Sequence, residues 1–376
     1  MKKKDILVLN PGSTSTKIAV FRDNEKIFAE TVDHPADKLE KFDEIVDQES
    51  YRKRLIVENL ADSNYDMDNL AAVVGRGGMV VDLDQGGYKV TLDLYNALKD
   101  PRLSPHASNL GGILAYDIAN DYGIPAYIYD SVMGCEIMDI AKITGLAEIE
   151  KYGCVHVLNM RAQALHYAES IGKTPSDLNL IVVHMGGGIT TCAMEKGVII
   201  DTGAYDDGPM SPERSGGLPL LLFKDLIFDH HLTRQETTEK IIGKTGMYSY
   251  LGTKDCREVE ERVVAGDEKA KLVYEAMAYQ IAKSVADMSV PLKGKIDAII
   301  LTGGIAFSEM FCDMIEEYCA HIGKIVRIPG EHEMEGLAMG TARILWEGEK
   351  AKEYNGRYGR NNEEIYKSIN RTRRMR

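Results

Sequence analysis

A chain of 376 residues with 44% hydrophobic residues is long enough to bury a large core, and its length is typical of about two domains. The formal net charge of −13 at pH 7 argues against duplex DNA or an anionic membrane surface as the main partner, because both attract positive charge. A local basic pocket for a small anion is compatible with this charge.

The cysteines and the first residues indicate the cellular compartment. Six cysteines are scattered without a C-x-x-C pair, which predicts reduced thiols. Lysines at positions 2–4 precede a short apolar run, but Asn10 and Pro11 end that run too early for a secretory signal. The apolar runs are all shorter than the roughly 20 residues of a membrane span. These features predict a soluble, cytoplasmic protein.

The first predicted element is a β-hairpin near the start of the chain. Residues 6–9 are apolar, a turn rich in glycine and hydroxyl groups follows at residues 10–17, and apolar residues resume at 18–21. Short apolar runs bounded by a turn are typical of buried strands. A Walker A loop would instead need a helix after its lysine and the spacing G-x-x-x-x-G-K-[ST], which this sequence lacks.

The turn of this hairpin is a candidate phosphate loop. Gly12 permits backbone angles that aim several N–H groups at one anion. Asn10, Ser13, Ser15 and Lys17 supply further donors. Turns rich in serine and glycine are also common between strands where no ligand binds. A purely structural turn is therefore the alternative.

A helix and a strand are predicted in the middle of the first half. Residues 107–122 have apolar side chains at helical spacing, and Gly123 and Pro125 end the pattern. Residues 126–129 form an apolar strand that ends at Asp130. Because open α/β sheets place ligand-binding groups at the carboxyl ends of strands, Asp130 is a candidate site residue.

A second hairpin pattern begins at residue 180. Apolar residues 180–185 and 189–194 flank the glycines at 186–188, and superposing the two patterns places Gly12 over Gly187. The match predicts two halves built on one plan.

The last third contains a long helix and a third strand followed by glycine. Residues 267–290 show helical spacing, and the apolar run 298–302 precedes residues 303–305, another glycine-rich turn. Strands that alternate with helices predict an α/β architecture. Residues 357–376 are basic and poor in apolar side chains, which predicts a mobile or surface tail, with a basic interaction arm as the alternative.

Three glycine-rich turns after apolar strands are typical of a nucleotide cleft between two similar lobes. Nine motifs in order, from residue 5 to about residue 347, make the chain resemble the acetokinase family of the actin–Hsp70–sugar kinase superfold, and most closely its butyrate kinase branch. The motifs are residues 10–17, 75–78, 104–109, 129–130, 156–159, 184–190, 214–217, 301–305 and 333–336.

The resemblance implies an α/β fold class: two similar lobes of a duplicated ribonuclease H-like, actin-like ATPase fold with a cleft between them. It implies an N-terminal acyl-kinase lobe over residues 1–157, completed by a C-terminal helix at 338–376, and a nucleotide-binding lobe over 158–337. Family members form dimers or larger assemblies, so a homo-oligomer is expected.

The activity that the resemblance implies is reversible transfer of phosphate from ATP to butyrate, giving butyryl phosphate and ADP, with Mg²⁺ as metal. Branched or other short-chain acids, such as isobutyrate, propionate and acetate, are alternative substrates. A nucleotide-gated chaperone-like ATPase and a kinase of sugars or polyphosphate are alternatives from other classes.

Two arginines suit the proposed chemistry. A carboxylate that approaches ATP meets a polyanion, and two unit charges about 4 Å apart repel by roughly 4 kcal/mol at an effective dielectric near 20. Arg76 and Arg214, each beside glycine or small residues, can offer planar forks to the acid and to the transferring phosphoryl group. The alternative for Arg76 is a surface arginine in a glycine-rich loop. The alternative for Arg214 is that the adjacent Glu213 simply pairs with a nearby cation.

The resemblance also assigns roles to other residues. It makes His156 a stabiliser of the transition state and His106 a contact to the substrate, although a lone histidine is more often structural. It gives Asp130 and Glu335 to the metal, since Mg²⁺ needs only one or two carboxylates besides water. Glu333 lies two residues before Glu335, and a solvated charge at a helix start is the alternative for both. In the resemblance, the transferring phosphoryl group is bound by Asn10, Ser13, Ser15 and Lys17. The phosphates of the nucleotide are bound by Gly186, Gly187 and Gly188, and the adenosine is lined by Gly303, Gly304 and Ile305.

Two small residues predict the size of the acid. Acetate kinases usually have a larger aliphatic residue at the position of Gly78 and a phenylalanine at that of Val155. Loss of this bulk is expected to open space for methylenes, each worth about 0.8 kcal/mol when buried. Acids longer than acetate are therefore expected, without strict selectivity among them.

Overall fold

The structure is a computed structural model that describes residues 4–81, 83–103 and 106–355. The basic tail and the Ser104-Pro105 part of one motif lie outside the described residues. The chain divides into two compact units. Unit 1 holds the chain up to Cys135, Lys142–Lys151 and the residues from His332 onward, and unit 2 holds Glu136–Ala141 and Tyr152–Glu331.

The described residues form strands and helices in alternation, as predicted. The strands are β1 (Asp5–Pro11), β2 (Ser15–Arg22), β3 (Glu25–Asp33), β4 (Leu70–Arg76), β5 (Gly87–Lys89), β6 (Ala126–Tyr129), β7 (Asn179–Met185), β8 (Ile189–Glu195), β9 (Val198–Gly203), β10 (Ala298–Gly303), β11 (Ile325–Pro329) and β12 (Lys352–Glu353). The α-helices are α1 (Ala36–Leu39), α2 (Glu49–Asp62), α3 (Leu92–Leu98), α4 (Asn109–Asp121), α5 (Asp139–Lys142), α6 (Val157–Ser170), α7 (Leu220–Asp229), α8 (Arg234–Ile241), α9 (Met247–Leu251), α10 (Cys256–Val264), α11 (Glu268–Ser289), α12 (Glu309–Cys319) and α13 (Glu333–Trp346). Short 3₁₀ helices cover Ile45–Gln48, Met67–Asn69, Pro175–Asp177 and Gly304–Phe307.

The sheet of unit 1 has the order β12-β5-β6-β4-β1-β2-β3. Its first two strands form the predicted hairpin, in register from Asp5 opposite Arg22 to Pro11 opposite Thr16. Strand β1 also pairs parallel with β4, which pairs parallel with β6. Every residue of β1 is buried. A strand in the middle of a covered sheet is buried on both faces, which explains its mostly apolar sequence. Helix α13 packs against β1, β4 and β6.

Glycines bring helix α4 into backbone contact with the end of β4. A Cβ placed on Gly75 would lie 1.9 Å from the carbonyl oxygen of Gly111, and one placed on Gly111 would lie 2.2 Å from the carbonyl oxygen of Arg76. Side chains at these positions would force the two elements apart. The contact fixes the backbone of Arg76, the last residue of β4.

The sheet of unit 2 has the order β11-β10-β7-β8-β9. Strand β7 pairs antiparallel with β8 and parallel with β10, the same relations that β1 has with β2 and β4. Helix α11 packs against β7, β8 and β9 through buried residues that include Met277 and Ile281, and the Asp267 side chain caps its first turn by accepting a hydrogen bond from the Ala270 N–H.

The order β3-β2-β1-β4-β6 in the first sheet is therefore repeated as β9-β8-β7-β10-β11 in the second, which is the predicted duplication. A 3₁₀ helix, Gly304–Phe307, follows the third glycine turn, where the two other turns are followed by strands. The chain passes from unit 1 to unit 2 after Lys151 and returns to unit 1 after Glu331, in each case six residues before the predicted boundaries at 157/158 and 337/338. Val155 and His156 consequently belong to unit 2, and Glu335 belongs to unit 1.

Candidate active site

The first candidate phosphate loop is the tight turn between β1 and β2. The Gly12 N–H donates to the Ser15 carbonyl over 2.7 Å, which closes the turn. Ser13 and Lys17 are exposed, whereas Asn10 at the end of β1 is only 7% exposed. The loop thus presents hydroxyl and ammonium groups to solvent above a buried amide.

Glu333 joins two of the predicted residues. The Asn10 amide Nδ2 donates to Glu333 Oε2 over 2.6 Å, and an Arg76 terminal nitrogen lies 3.5 Å from the same oxygen. Glu333 is the first residue of α13 and is 6% exposed. The Nε of Arg76 is buried and has no hydrogen-bond partner among the described residues, so the guanidinium still has a donor to offer.

Glu335, the predicted metal ligand, points elsewhere. It forms an ion pair of 2.7 Å with Lys26, and its side chain is 33% exposed. Burial by itself would raise the pKa of Glu335, but the hydrogen bond and the charge of Lys26 bring that pKa below its ordinary value. Because residues two apart on a helix do not share a face, only Glu333 meets Asn10 and Arg76.

Asp130 follows β6 in a strained conformation. Its φ angle is 46°, in the left-handed region that a residue with a side chain seldom adopts. The residue is 4% exposed, and its Oδ1 accepts a hydrogen bond of 2.7 Å from the Gly86 N–H. The position at the carboxyl end of a central strand agrees with the prediction.

The donor set fits Mg²⁺ but not a metal held only by protein. Across the residues that the structure describes, no group of three or more histidine, cysteine, aspartate or glutamate side chains could hold a metal ion. Mg²⁺ keeps several waters and binds phosphate oxygens, so it needs only one or two carboxylates. Asp130 and Glu333 offer such carboxylates.

The space beside Gly78 differs from the expectation. A Cβ at Gly78 would lie 2.5 Å from Asn109 Oδ1 and 2.7 Å from Leu98 Cδ2. Asn109 is held there because its Oδ1 accepts a hydrogen bond from the Met79 N–H over 2.7 Å. The predicted room for methylenes at Gly78 is therefore wrong, since these two side chains already fill it.

The other two predicted substrate contacts lie in different units. His106 is exposed in unit 1, and its Nδ1 lies 2.7 Å from the Ser108 hydroxyl. Val155 is buried in unit 2, with 3% of its surface exposed.

The second candidate phosphate loop, Gly186 to Gly188, is the turn between β7 and β8. The Gly186 N–H donates to the Gly188 carbonyl over 3.1 Å. The guanidinium of Arg214 lies directly on this turn, because a Cβ at Gly188 would be 2.1 Å from Arg214 Cζ. Glycine at this position is thus what admits the arginine.

Arg214 has donors without acceptors. Its Nε and one terminal nitrogen are buried and lack a hydrogen-bond partner in the described part of the chain. Burial lowers the pKa of this guanidinium below its ordinary value. The adjacent Glu213 pairs with Lys254 over 2.9 Å, so its hydrogen bond goes to another cation. A buried guanidinium with unused donors is a ready binding site for an oxyanion.

His156 and His184 form a stacked pair beside this loop. Their ring centroids are 3.8 Å apart with planes 16° from parallel. His156 Nδ1 lies 2.9 Å from the Thr190 hydroxyl, and the Asn159 amide nitrogen lies 2.8 Å from His184 Nδ1. These contacts fix both rings, which is what a hydrogen-bonding role toward a phosphoryl group requires.

A cavity of about 1190 Å³ within unit 2 brings together four of the predicted nucleotide residues. Gly186, Gly187, Gly304 and Ile305 line it. Its other lining residues are Pro212, Lys254, Asp255, Cys256, Arg257, Glu260, Glu261, Val264, Phe307 and Ser308. The cavity is large enough for a nucleoside phosphate.

Gly303 adjoins this cavity in a conformation that only glycine adopts easily. Its φ is 89°, and a Cβ there would lie 2.4 Å from the Met185 carbonyl oxygen. No sequence motif marks Arg52, a fully buried arginine behind the first loop, and the motif match favours Glu335 over Glu333.

Comparisons with known proteins identify relatives of the chain. The model of the acetokinase family matches residues 142–341. Butyrate kinase 1 of Clostridium acetobutylicum is 44% identical over 351 residues, which cover 93% of this chain and 99% of that protein.

Two solved structures share the fold. Acetate kinase of Porphyromonas gingivalis superposes with a TM-score of 0.77 at 17% identity, covering 91% of this chain and all of the other. A propionate kinase of Francisella tularensis gives a TM-score of 0.71 at 18% identity, covering 90% of this chain and 98% of the other. Among the described helices, none has the length and hydropathy needed to span a bilayer. The two related sheets, the full-length relative and the family match together show that this chain belongs to the acetokinase family and has its actin-like ATPase fold.

Proposed function

We propose that the protein is a butyrate kinase that transfers the γ-phosphoryl group of ATP reversibly to the carboxylate of butyrate, giving butyryl phosphate and ADP. The observation that carries the proposal is the buried guanidinium of Arg214, which lies on the second glycine loop with two donors that no described residue accepts from. The likeness to a full-length butyrate kinase supports the choice of acid.

In this mechanism the carboxylate attacks the γ-phosphorus without a general base, because it is already ionised at neutral pH. Arg76 and Arg214 lower the repulsion between the acid and the phosphates through charge-assisted hydrogen bonds. His156 donates to the transferring group and is kept in place by Thr190. The bond between the γ-phosphorus and the oxygen that bridges it to the β-phosphate breaks, ADP leaves with the negative charge on that oxygen, and the new P–O bond is that of the acyl phosphate.

The two loops divide the phosphates between them. Asn10, Ser13, Ser15 and Lys17 bind the transferring phosphoryl group, and the turn at Gly186 to Gly188 binds the remaining phosphates. The adenosine occupies the cavity of unit 2 beside Gly304 and Ile305. Mg²⁺, when bound, neutralises part of the phosphate charge, and Asp130 and Glu333 would hold it.

Butyrate is proposed as the preferred acid, with isobutyrate, propionate and acetate as poorer ones. The reason is the named relative and the small Val155, because Gly78 offers no extra room beside Asn109 and Leu98. ATP as phosphoryl donor also makes the cytoplasm the proposed location.

The experiment is acyl-phosphate trapping with hydroxylamine over straight and branched acids of two to six carbons, beside a panel of sugars. The strongest colour with butyrate supports the proposal. Highest catalytic efficiency with acetate, or phosphorylation of a sugar, contradicts it.

Helix α7 supports a homo-oligomer. None of its residues is buried, although the helix is rich in large apolar side chains. At least 69% of the surface is exposed at each of Leu220, Leu221, Leu222 and Phe228. An apolar helix with several large side chains that no described residue covers is typical of a protein interface. We therefore propose a dimer in which α7 meets a second copy.

Light scattering tests the dimer. The double substitution Leu221→Lys with Phe228→Lys is expected to give monomers, and Ile140→Lys, at an equally exposed apolar residue, serves as the control. An unchanged mass for the double variant contradicts the role of α7.

A further inference from the structure

Arg52 lies on α2 directly behind the first phosphate loop, and its side chain is fully buried. One terminal nitrogen donates to the Gly12 carbonyl over 2.8 Å, to the Ser15 carbonyl over 3.2 Å and to the Thr16 hydroxyl over 3.1 Å. The other terminal nitrogen donates to the Ser13 carbonyl over 3.0 Å. One guanidinium therefore binds four acceptors of the turn, on Gly12, Ser13, Ser15 and Thr16.

The remaining donors of Arg52 go to Gln48. Its Nε and a terminal nitrogen lie 3.0 Å and 2.8 Å from Gln48 Oε1. All hydrogen-bond acceptors of this guanidinium in the described residues are thus uncharged carbonyl, amide or hydroxyl oxygens. Burial lowers the pKa of Arg52 to about 10, which still leaves the group cationic at neutral pH.

A buried cation without an anionic partner is costly, and strongly perturbed charged groups cluster at functional sites, so this guanidinium is a candidate for balancing a bound anion. His34, the other titratable ring at the turn, does not supply the missing anion. Its Nε2 lies 2.8 Å from the Thr16 hydroxyl, and its pKa is lowered to about 4, mainly by burial and further by the charge of Arg52. His34 is therefore neutral when Arg52 is charged.

The carbonyls that bind Arg52 also determine where the loop aims its N–H groups. In a trans peptide the carbonyl of one residue and the N–H of the next point in opposite directions. Because the carbonyls of Gly12 and Ser13 point at Arg52, the N–H groups of Ser13 and Thr14 point away from it. Both residues are exposed, so these donors face the solvent side of the turn.

We propose that Arg52 is a positioning residue of the phosphate loop. It holds the Gly12–Ser15 turn in place through hydrogen bonds to the carbonyls of that turn. It also supplies a positive charge, and the phosphoryl group bound on the opposite face of the turn is the counter-ion. The proposal rests on the proposed function, because that function places the transferring phosphoryl group at this loop. It assigns a role to a residue that is fully buried behind the loop.

The sharpest test changes the neighbour of Arg52. Gln48→Glu keeps the shape of the side chain and gives the guanidinium an internal anion. If the charge of Arg52 serves the ligand, this variant unfolds at a higher temperature but has a Kd for ATP raised about tenfold and a lower kcat, since the loop no longer lacks an anion. A merely structural arginine predicts greater stability with unchanged ATP affinity and kcat, and that result would overturn the proposal.

A second pair of variants tests the orientation of the loop. Arg52→Lys keeps a charge but cannot reach all four turn acceptors, and it is expected to lower kcat about 100-fold with a normal circular dichroism spectrum. Arg54→Lys, on the same helix but exposed and paired with Glu58, is the matched control and is expected to behave as wild type. Arg52→Lys with kcat within about threefold of wild type contradicts positioning.

The wild-type enzyme separates failure of this inference from failure of the proposed function. If the wild type forms no hydroxamate with any acid, the proposed function is wrong and the inference falls with it. If the wild type is active and Gln48→Glu and Arg52→Lys both retain its ATP affinity and kcat, only the role of Arg52 is wrong.

Discussion

Arg214 and Gly188 are in such close contact that a single methyl group between them would displace the guanidinium, because a Cβ at Gly188 would lie 2.1 Å from Arg214 Cζ. Gly188→Ala is therefore expected to lower kcat about 100-fold, the scale of losing one oriented donor. Hydroxamate formation and calorimetric ATP binding measure the effect. Gly217→Ala, where a Cβ would meet nothing within 4 Å, is the control. Near-normal turnover of Gly188→Ala would remove Arg214 from the mechanism.

Arg76 is expected to act on the transition state more than on nucleotide binding. Arg76→Ala removes a guanidinium whose Nε has no partner in the part of the chain that the structure describes, so kcat should fall about 100- to 1000-fold while the Kd for ATP changes less than about threefold. Arg102→Ala, at an exposed arginine that pairs with Asp100, controls for loss of surface charge. Equal losses in kcat and in ATP affinity would show that Arg76 binds the nucleotide instead.

The two glutamates at the start of α13 should differ in their effect on magnesium. Glu333→Gln removes a buried carboxylate bound to Asn10 and near Arg76, and it is expected to raise the Mg²⁺ concentration for half-maximal rate about tenfold or more. Glu335→Gln only breaks the Lys26 ion pair and should change that concentration less than about twofold. Titration of the rate with Mg²⁺ decides, and the reverse order would restore Glu335 as the ligand.

His34 should make stability depend on pH. Its pKa in the folded protein is lowered from 6.5 to about 4, so below pH 6.5 the unfolded chain binds a proton that the folded chain does not. Stability is full above pH 6.5 and is lost as the pH falls toward 4, by about 2 kcal/mol at pH 5. Urea unfolding at pH 7 and pH 5 measures this loss, and His34→Gln should reduce it. An identical loss in that variant would assign the pH dependence to other groups.

Much of the fold follows from local sequence. The hairpins of β1 with β2 and of β7 with β8, and helices α4 and α11, were predictable because apolar runs end at glycine, proline or a polar turn. The repeated turn at Gly12 and Gly187 predicts the duplication of the two halves. The strand order itself needed the three-dimensional pairing.

What the sequence could not provide depends on contacts between distant residues. Arg52 stands in a charged helix and looks like a surface residue, since its burial comes from a turn about forty residues earlier in the chain. The motif match favours Glu335 over Glu333, whereas the face that α13 turns to Asn10 carries Glu333. Gly78 suggested open space because Asn109 and Leu98, which fill it, come from other elements.

The division of the chain has a consequence for synthesis on the ribosome. Unit 2 is almost one uninterrupted stretch, whereas unit 1 needs α13 from beyond residue 331 to cover β1 and to supply Glu333. A nascent chain can complete unit 2 while the opening strands of unit 1 still wait for their last helix. The amino-terminal half is thus the later one to mature, and a ribosome that stops at residue 331 leaves Asn10 without its carboxylate.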